Sequence, residues 1–140
     1  MQPSNARLHP SRWREGVEQF VRGTLGCQCP DEVFRSVTLD RVHAGNGLPG
    51  TTRLAIGDRL LVYVMRAADS EDLVTAVGAL TLSGIADRDS HGMNRFRLVL
   101  ARRADDPGPG DVQRAFAVAA GPDDRAHLHV IDAAALPRGL

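Results

Sequence analysis

Apolar residues Trp13, Val17, Phe20, Val21 and Leu25 recur at spacings of four, three, one and four. That spacing draws one stripe along a 3.6-residue helix. Ser11 suits its N-cap and Gly26 a left-handed stop. Downstream, Val37, Leu39 and Arg41 alternate with polar neighbours in Ser36–Val42, the period of a strand. Arg59–Met65 (RLLVYVM) is almost continuously apolar, as in a central strand covered on both faces. A second helical stripe comes next in Leu73, Val74, Val77, Leu80 and Thr81. Asp69 or Ser70 is placed to cap this helix, acids Glu71 and Asp72 fill its first turn, and Gly84 marks its expected end. Asn94–Ala101 and His127–Ile131 predict two more strands, and Asp111–Ala120 a third helix with Val112, Ala115, Phe116 and Ala119 inward.

The predicted order is α-β-β-α-β-α-β. Strands separated by helices imply parallel crossovers, whereas the first two strands succeed each other directly and imply an antiparallel pair. The expected fold is α/β (or α+β): one domain over residues 11–140, with helices packed on a mixed sheet of four to five strands. Residues 1–10 read as a disordered tail, and His43–Arg53 and Arg102–Gly110 as Gly/Pro-rich loops.

Composition narrows the function classes. A chain of 140 residues with 43% hydrophobic and 24% charged residues can bury a core without disulfides. Seventeen basic residues balance seventeen acidic ones, so no general field draws the protein to nucleic acid or an anionic membrane. Every basic residue is Arg, and the absence of Lys excludes a Schiff-base or P-loop lysine. The first residues lack the apolar run of a signal peptide, and no stretch has the length of a membrane span. The expectation is a cytoplasmic protein, in which cysteines are reduced, metal-bound or transiently oxidised.

The chemistry-bearing feature is Gly26-Cys27-Gln28-Cys29-Pro30, which holds the chain's only two cysteines. Residues two apart in a turn reach the Cα separation a disulfide accepts. The ring closed is very small, so a bridge there stabilises little and suits a thiol redox switch better than a brace. Pro30 followed by Asp31 and Glu32 resembles a helix start, with Cys29 at or near its N-cap. There, backbone N–H groups favour thiolate, and Asp31 and Glu32 tune the thiols in the opposite sense. A metal site is the second reading. His127 and His129, two apart on a strand, face one side, and with Cys27 and Cys29 they make a tetrahedral set for zinc or another soft metal. In a third, the cysteines simply pack as small hydrophobes. Two functions are consistent with these readings: a metal-binding or thiol-redox module, or a non-catalytic interaction or oligomerisation domain, such as a homodimer paired through an exposed sheet edge.

The run TLGCQCPDEVF (Thr24–Phe34) resembles one in small uncharacterised prokaryotic proteins carrying a TLGCxCPxEVF-like segment. The resemblance implies no activity and assigns no residue a role.

Other signals are weaker. Gly45-Asn46-Gly47-Leu48-Pro49-Gly50 matches a dinucleotide fingerprint literally, but such a fingerprint must lead into a helix, and TTRLAIGDRL reads as strand or loop. Asp87, Asp89 and His91 sit together in what reads as a helix-to-strand turn. Arg95 and Arg97 share a strand face expected to be solvated and partnered by acids. No hydrolase or zinc-protease motif is present, so no catalytic residue is assigned.

Overall fold

In the computed structural model, which describes residues 10–42, 50–69, 72–103, 109–137 and 139–140, helix α1 spans Pro10–Gln19 and runs into a π-helical turn over Phe20–Thr24. Leu25 N donates to Phe20 O at 3.0 Å, the five-residue spacing of a π turn. The predicted stripe stays inward: Val17, Phe20, Val21 and Leu25 are all buried. The stop is where the glycine implied it. Gly26 has φ +71°, and Cys27 N donates back to Val21 O at 3.0 Å. Pro10, placed in the expected tail, opens the helix; residues 1–9 and the Trp13 side chain lie outside the described residues.

Five strands form one mixed sheet in the order β1 (Val37–Val42), β2 (Thr51–Ile56), β3 (Leu60–Arg66), β4 (Arg95–Arg102) and β5 (Ala126–Asp132). The first three make an antiparallel meander, and β3–β4 and β4–β5 are parallel. The α/β expectation is met, with one strand more than the four located from the pattern. β2 lies between Ser36–Val42 and Arg59–Met65 and pairs antiparallel with both, so those two segments are not neighbours. Thr51, Thr52, Leu54 and Ile56 are buried in a segment whose glycine-rich flanks suggested a loop. Gly57 and Asp58, at φ +60° and +55°, supply the type I′ turn into β3. The strand also settles the dinucleotide fingerprint. Residues 43–49 lie outside the described residues, but the segment beginning at Thr51 is a strand, with no helix N-terminus to receive a pyrophosphate.

Helix α2 (Leu73–Ser90) joins β3 to β4, and α3 (Gly110–Ala120) joins β4 to β5. Two successive parallel steps in the same direction put both crossover helices on one face of the sheet; α1 covers the other. Leu61, Tyr63, Met65, Phe96, Leu98 and Leu100 pack toward α2 and α3. Leu54, Ile56, Leu60, Val62, Val64 and Val99 pack toward α1. The N-cap of α2 is Asp72, which accepts from Thr75 N at 3.1 Å, in place of Asp69 or Ser70. The helix runs six residues past Gly84, its expected end. That glycine is buried against the Phe96 ring, and a Cβ there would come within 2.1 Å of it. Glycine is needed for close helix–sheet approach, not for a stop. Val74, placed inward by the pattern, is 45% exposed. Among the described residues, no helix is long and apolar enough to cross a membrane.

Candidate redox site

The π turn and Gly26 bring the chain off α1 directly into the cysteine turn. Cys27 and Cys29 are paired as a disulfide with Cα atoms 5.4 Å apart. Both are partly exposed, packed on the rim of the α1-side core. Beyond them Pro30 is extended (φ −62°, ψ 153°), and a short 3₁₀ turn over Asp31–Arg35 anchors the segment through buried Val33 and Phe34. The expected helix start is therefore a single 3₁₀ turn capped by Pro30, and Cys29 lies ahead of the cap. Asp31 turns outward to Arg22 Nη2 at 2.7 Å, and Glu32 is exposed. Arg22 also binds Glu18 and lies over the Phe34 ring, 4.8 Å from its centroid. Neither Asp31 nor Glu32 lines the cavity beside the sulfurs.

That cavity, about 490 Å³, lies between the cysteine turn and the N-terminal ends of β3, β4 and β5. Its walls include both cysteines, Arg59, Arg95, Arg97 and His127, and Val33, Ile56 and Leu60 contribute apolar floor. Strand register explains the grouping. Leu60 pairs with Arg95, Val62 with Arg97 and Arg97 with His127, which places these side chains on the α1 face. The missing side chain of Gly57 lets the β2–β3 turn lie against Val33, a wall residue of the cavity, where a Cβ would come within 2.6 Å.

The cations here interlock with imidazoles. Arg97 Nη1 donates to His129 Nε2 at 2.8 Å and to Leu25 O at 3.2 Å, and Arg95 Nη1 lies 3.3 Å from His127 Nε2. A guanidinium only donates, so each Nε2 accepts and the ring proton is on Nδ1. Burial, reinforced by Arg97 and the neighbouring His127, holds the His129 pKa down at about 4. Burial and then Arg97 and Arg95 lower His127 as well. Arg97 is itself depressed, by burial and by repulsion from Arg95, and its buried Nε has no hydrogen-bond partner. Among the described residues no carboxylate stands within ion-pair distance of Arg59, Arg95 or Arg97. Of the expected solvated, acid-partnered arginine face, the solvation holds for exposed Arg95, and the acid partnering is corrected: the partners of Arg95 and Arg97 are imidazoles and a backbone carbonyl.

The structure unites part of the expected constellation. Cys27, Cys29 and His127 share one cavity; His129 shares their side of the sheet but is turned to Arg97. The tetrahedral Cys/His set is not formed: among the described residues, no three His, Cys, Asp or Glu side chains group to hold a metal ion. Both sulfurs are engaged with each other, and arginines occupy the imidazole nitrogens. Arg59, Arg95 and Arg97 were missed as cavity walls. The available signal was an Arg-x-Arg strand able to pair with a His-x-His strand. Asp87, in contrast, belongs to a structural clasp. It accepts from Arg53 Nε and Nη2 at 2.7 and 2.9 Å and from Tyr63 Oη at 2.6 Å, with His91 beside it.

Comparison with protein-family models, with curated proteins and with solved structures returned no match. Fold and site define the class: a small α/β domain carrying a partly exposed Cys-x-Cys pair beside a cationic cavity.

Proposed function

We propose that Cys27 and Cys29 form a reversible thiol–disulfide couple and that the protein is a small thiol-redox module. The observation that carries this reading is a bonded pair of cysteines in the wall of an open cavity with no carboxylate among the described residues of its lining. As a brace the bond is weak, because a ring spanning three residues contributes roughly 1.5 kcal/mol of loop entropy. As a redox centre it is well placed. Arginines beside the sulfurs favour thiolate over thiol after reduction, and stabilising the reduced form makes the disulfide a better oxidant.

The test counts free thiols by alkylation and intact mass, with and without dithiothreitol, under native conditions. The expected result is no alkylation before reduction, double alkylation after it, and full reversal by an oxidised thiol. Two alkylatable thiols that never re-pair on oxidation would sink the reading.

A second reading, an oligomerisation module, draws on exposed Val74, Leu82 and Val118, which line a shallow groove between α2 and α3. Light scattering of the native protein tests it: a dimer dissociated by Leu82→Glu supports it, and a monomer at all concentrations removes it.

A further inference from the structure

The charged residues that line the cavity beside the cysteine pair are, among the described residues, of one sign, in a chain whose formal net charge is zero. Elsewhere, Arg22, Arg53, Arg88 and Arg114 each hold an acid at 2.6 to 3.2 Å. Only around the disulfide cavity do three guanidiniums, those of Arg59, Arg95 and Arg97, converge without a carboxylate among the described residues. Like charges held together in this way repel, and a part-buried Arg97 with an unpartnered Nε adds to the cost. Guanidinium forks match carboxylates in bidentate geometry. The cavity volume, about 490 Å³, falls within the range of roughly 300–1,000 Å³ typical of small-molecule sites.

We infer that the cavity takes a small thiol bearing carboxylates, whose acid groups are held by Arg59, Arg95 and Arg97 while its sulfur meets the Cys27–Cys29 bond. This inference rests on the thiol-redox reading above and names the substrate class. The thiolate of the ligand attacks one cysteine sulfur. The Cys27–Cys29 bond breaks, a ligand–protein mixed disulfide forms, and the other cysteine leaves as a thiolate. A second ligand thiolate then attacks the ligand sulfur of the mixed disulfide. It releases the ligand's own disulfide and leaves both cysteines reduced. Two electrons pass from two ligand thiols to the protein bond, and the protons lost on thiol ionisation are available to the protein thiolates. The cationic walls act twice, by concentrating an anionic reductant and by stabilising the departing thiolate.

The experiment measures the rate of reduction of the oxidised full chain by glutathione, 2-mercaptoethanol and cysteamine at low salt. Each rate is divided by that of the same thiol with a small-molecule disulfide, which removes intrinsic nucleophilicity. Glutathione, with two carboxylates, should exceed neutral 2-mercaptoethanol by about tenfold, and cationic cysteamine should be slowest. Salt should narrow the spread, as should Arg59→Gln and Arg95→Gln, whose side chains are exposed and not needed for packing. Equal normalised rates with a reducible bond would overturn the substrate assignment and leave the redox couple standing. A bond that dithiothreitol cannot reduce in the native protein would overturn both. S-methylglutathione, which cannot exchange, isolates the anion contact. Saturable amide shifts at Arg95, Arg97 and His127 are expected with the oxidised protein, and their absence would also overturn the assignment.

Discussion

The two faces of the sheet use the same cation in opposite ways. Toward α2 and α3, arginine is locked to acid. Arg53 is gripped by Asp87, which also receives the Tyr63 hydroxyl, and Arg88, with its side chain 2% exposed, is gripped by Asp123 at 2.6 and 2.9 Å. Toward α1, at the cysteine turn, no acid among the described residues pairs with Arg59, Arg95 or Arg97, and Arg95 and Arg97 donate to the imidazoles of His127 and His129. A buried ion pair with its hydrogen bonds made is architecture. A convergent set of cations without acid partners costs folding stability, a cost that the carboxylate ligand proposed above would offset. The difference teaches where to look for chemistry in a chain with no overall charge.

Breaking a locked pair should have the largest effect. Asp123→Ala leaves the Arg88 guanidinium buried with only Asp89 at its edge. It should cost about 3 kcal/mol, since an ion stripped of its buried partner keeps its desolvation penalty. Urea unfolding reads this directly, and a loss below about 1 kcal/mol would mean the pair is effectively solvated.

Acid separates the faces next. His129 titrates near 4 in the folded protein against an ordinary 6.5. Between those values the unfolded chain binds a proton that the folded chain refuses. Stability from this face is therefore complete above about 6.5 and falls as the pH drops toward 4. A sealed ring would lose about 3 kcal/mol over that interval; His129 is half-buried, and screening reduces the expected loss to about 1–2 kcal/mol. Asp123 is held down at about 2, chiefly by its bonds from Arg88, against 3.8. Its contribution persists through that interval and is lost only as the pH falls from 3.8 through 2. Equilibrium unfolding at stepped pH should show two separate declines. His129→Gln should make the upper one shallower and leave the lower one unchanged, the remaining upper slope coming in part from His127, which is also lowered; an unchanged upper slope would remove His129 as a source.

Arg95→Gln should have the smallest effect on stability, within about 0.5 kcal/mol, because the side chain is exposed and its contact with His127 Nε2, at 3.3 Å, is an exposed one that water can replace. Relief of its repulsion on Arg97 tends toward stabilisation. A clear loss of thermal stability would show that Arg95 is structural and would erase the contrast between the faces.

Much of the scaffold was legible because amphipathic period reports which side of an element is buried. Val17, Phe20, Val21 and Leu25 marked α1, and Arg59–Met65 marked the central strand. β2 was hidden because its glycine-rich approach masked a short strand, and glycine in a sequence does not say whether it ends an element or admits a neighbour. Gly26 ends one; Gly84 admits Phe96. The cysteine pair was legible as a feasible bridge from its spacing alone. Its surroundings were not, since Arg59, Arg95 and His127 are separated by more than thirty residues at each step and meet only through strand register.

What the chain determined by itself was local: helix and strand periods, the stop at Gly26, and two sulfurs close enough to bond. What only the tertiary structure decided was the company those sulfurs keep. Parallel pairing of β3, β4 and β5 aligned arginines and histidines on the α1 face, where no acid among the described residues lines the cavity. The physical reason is that covalent geometry sets which conformations a few residues can adopt, whereas electrostatic environment depends on contacts between residues far apart in sequence.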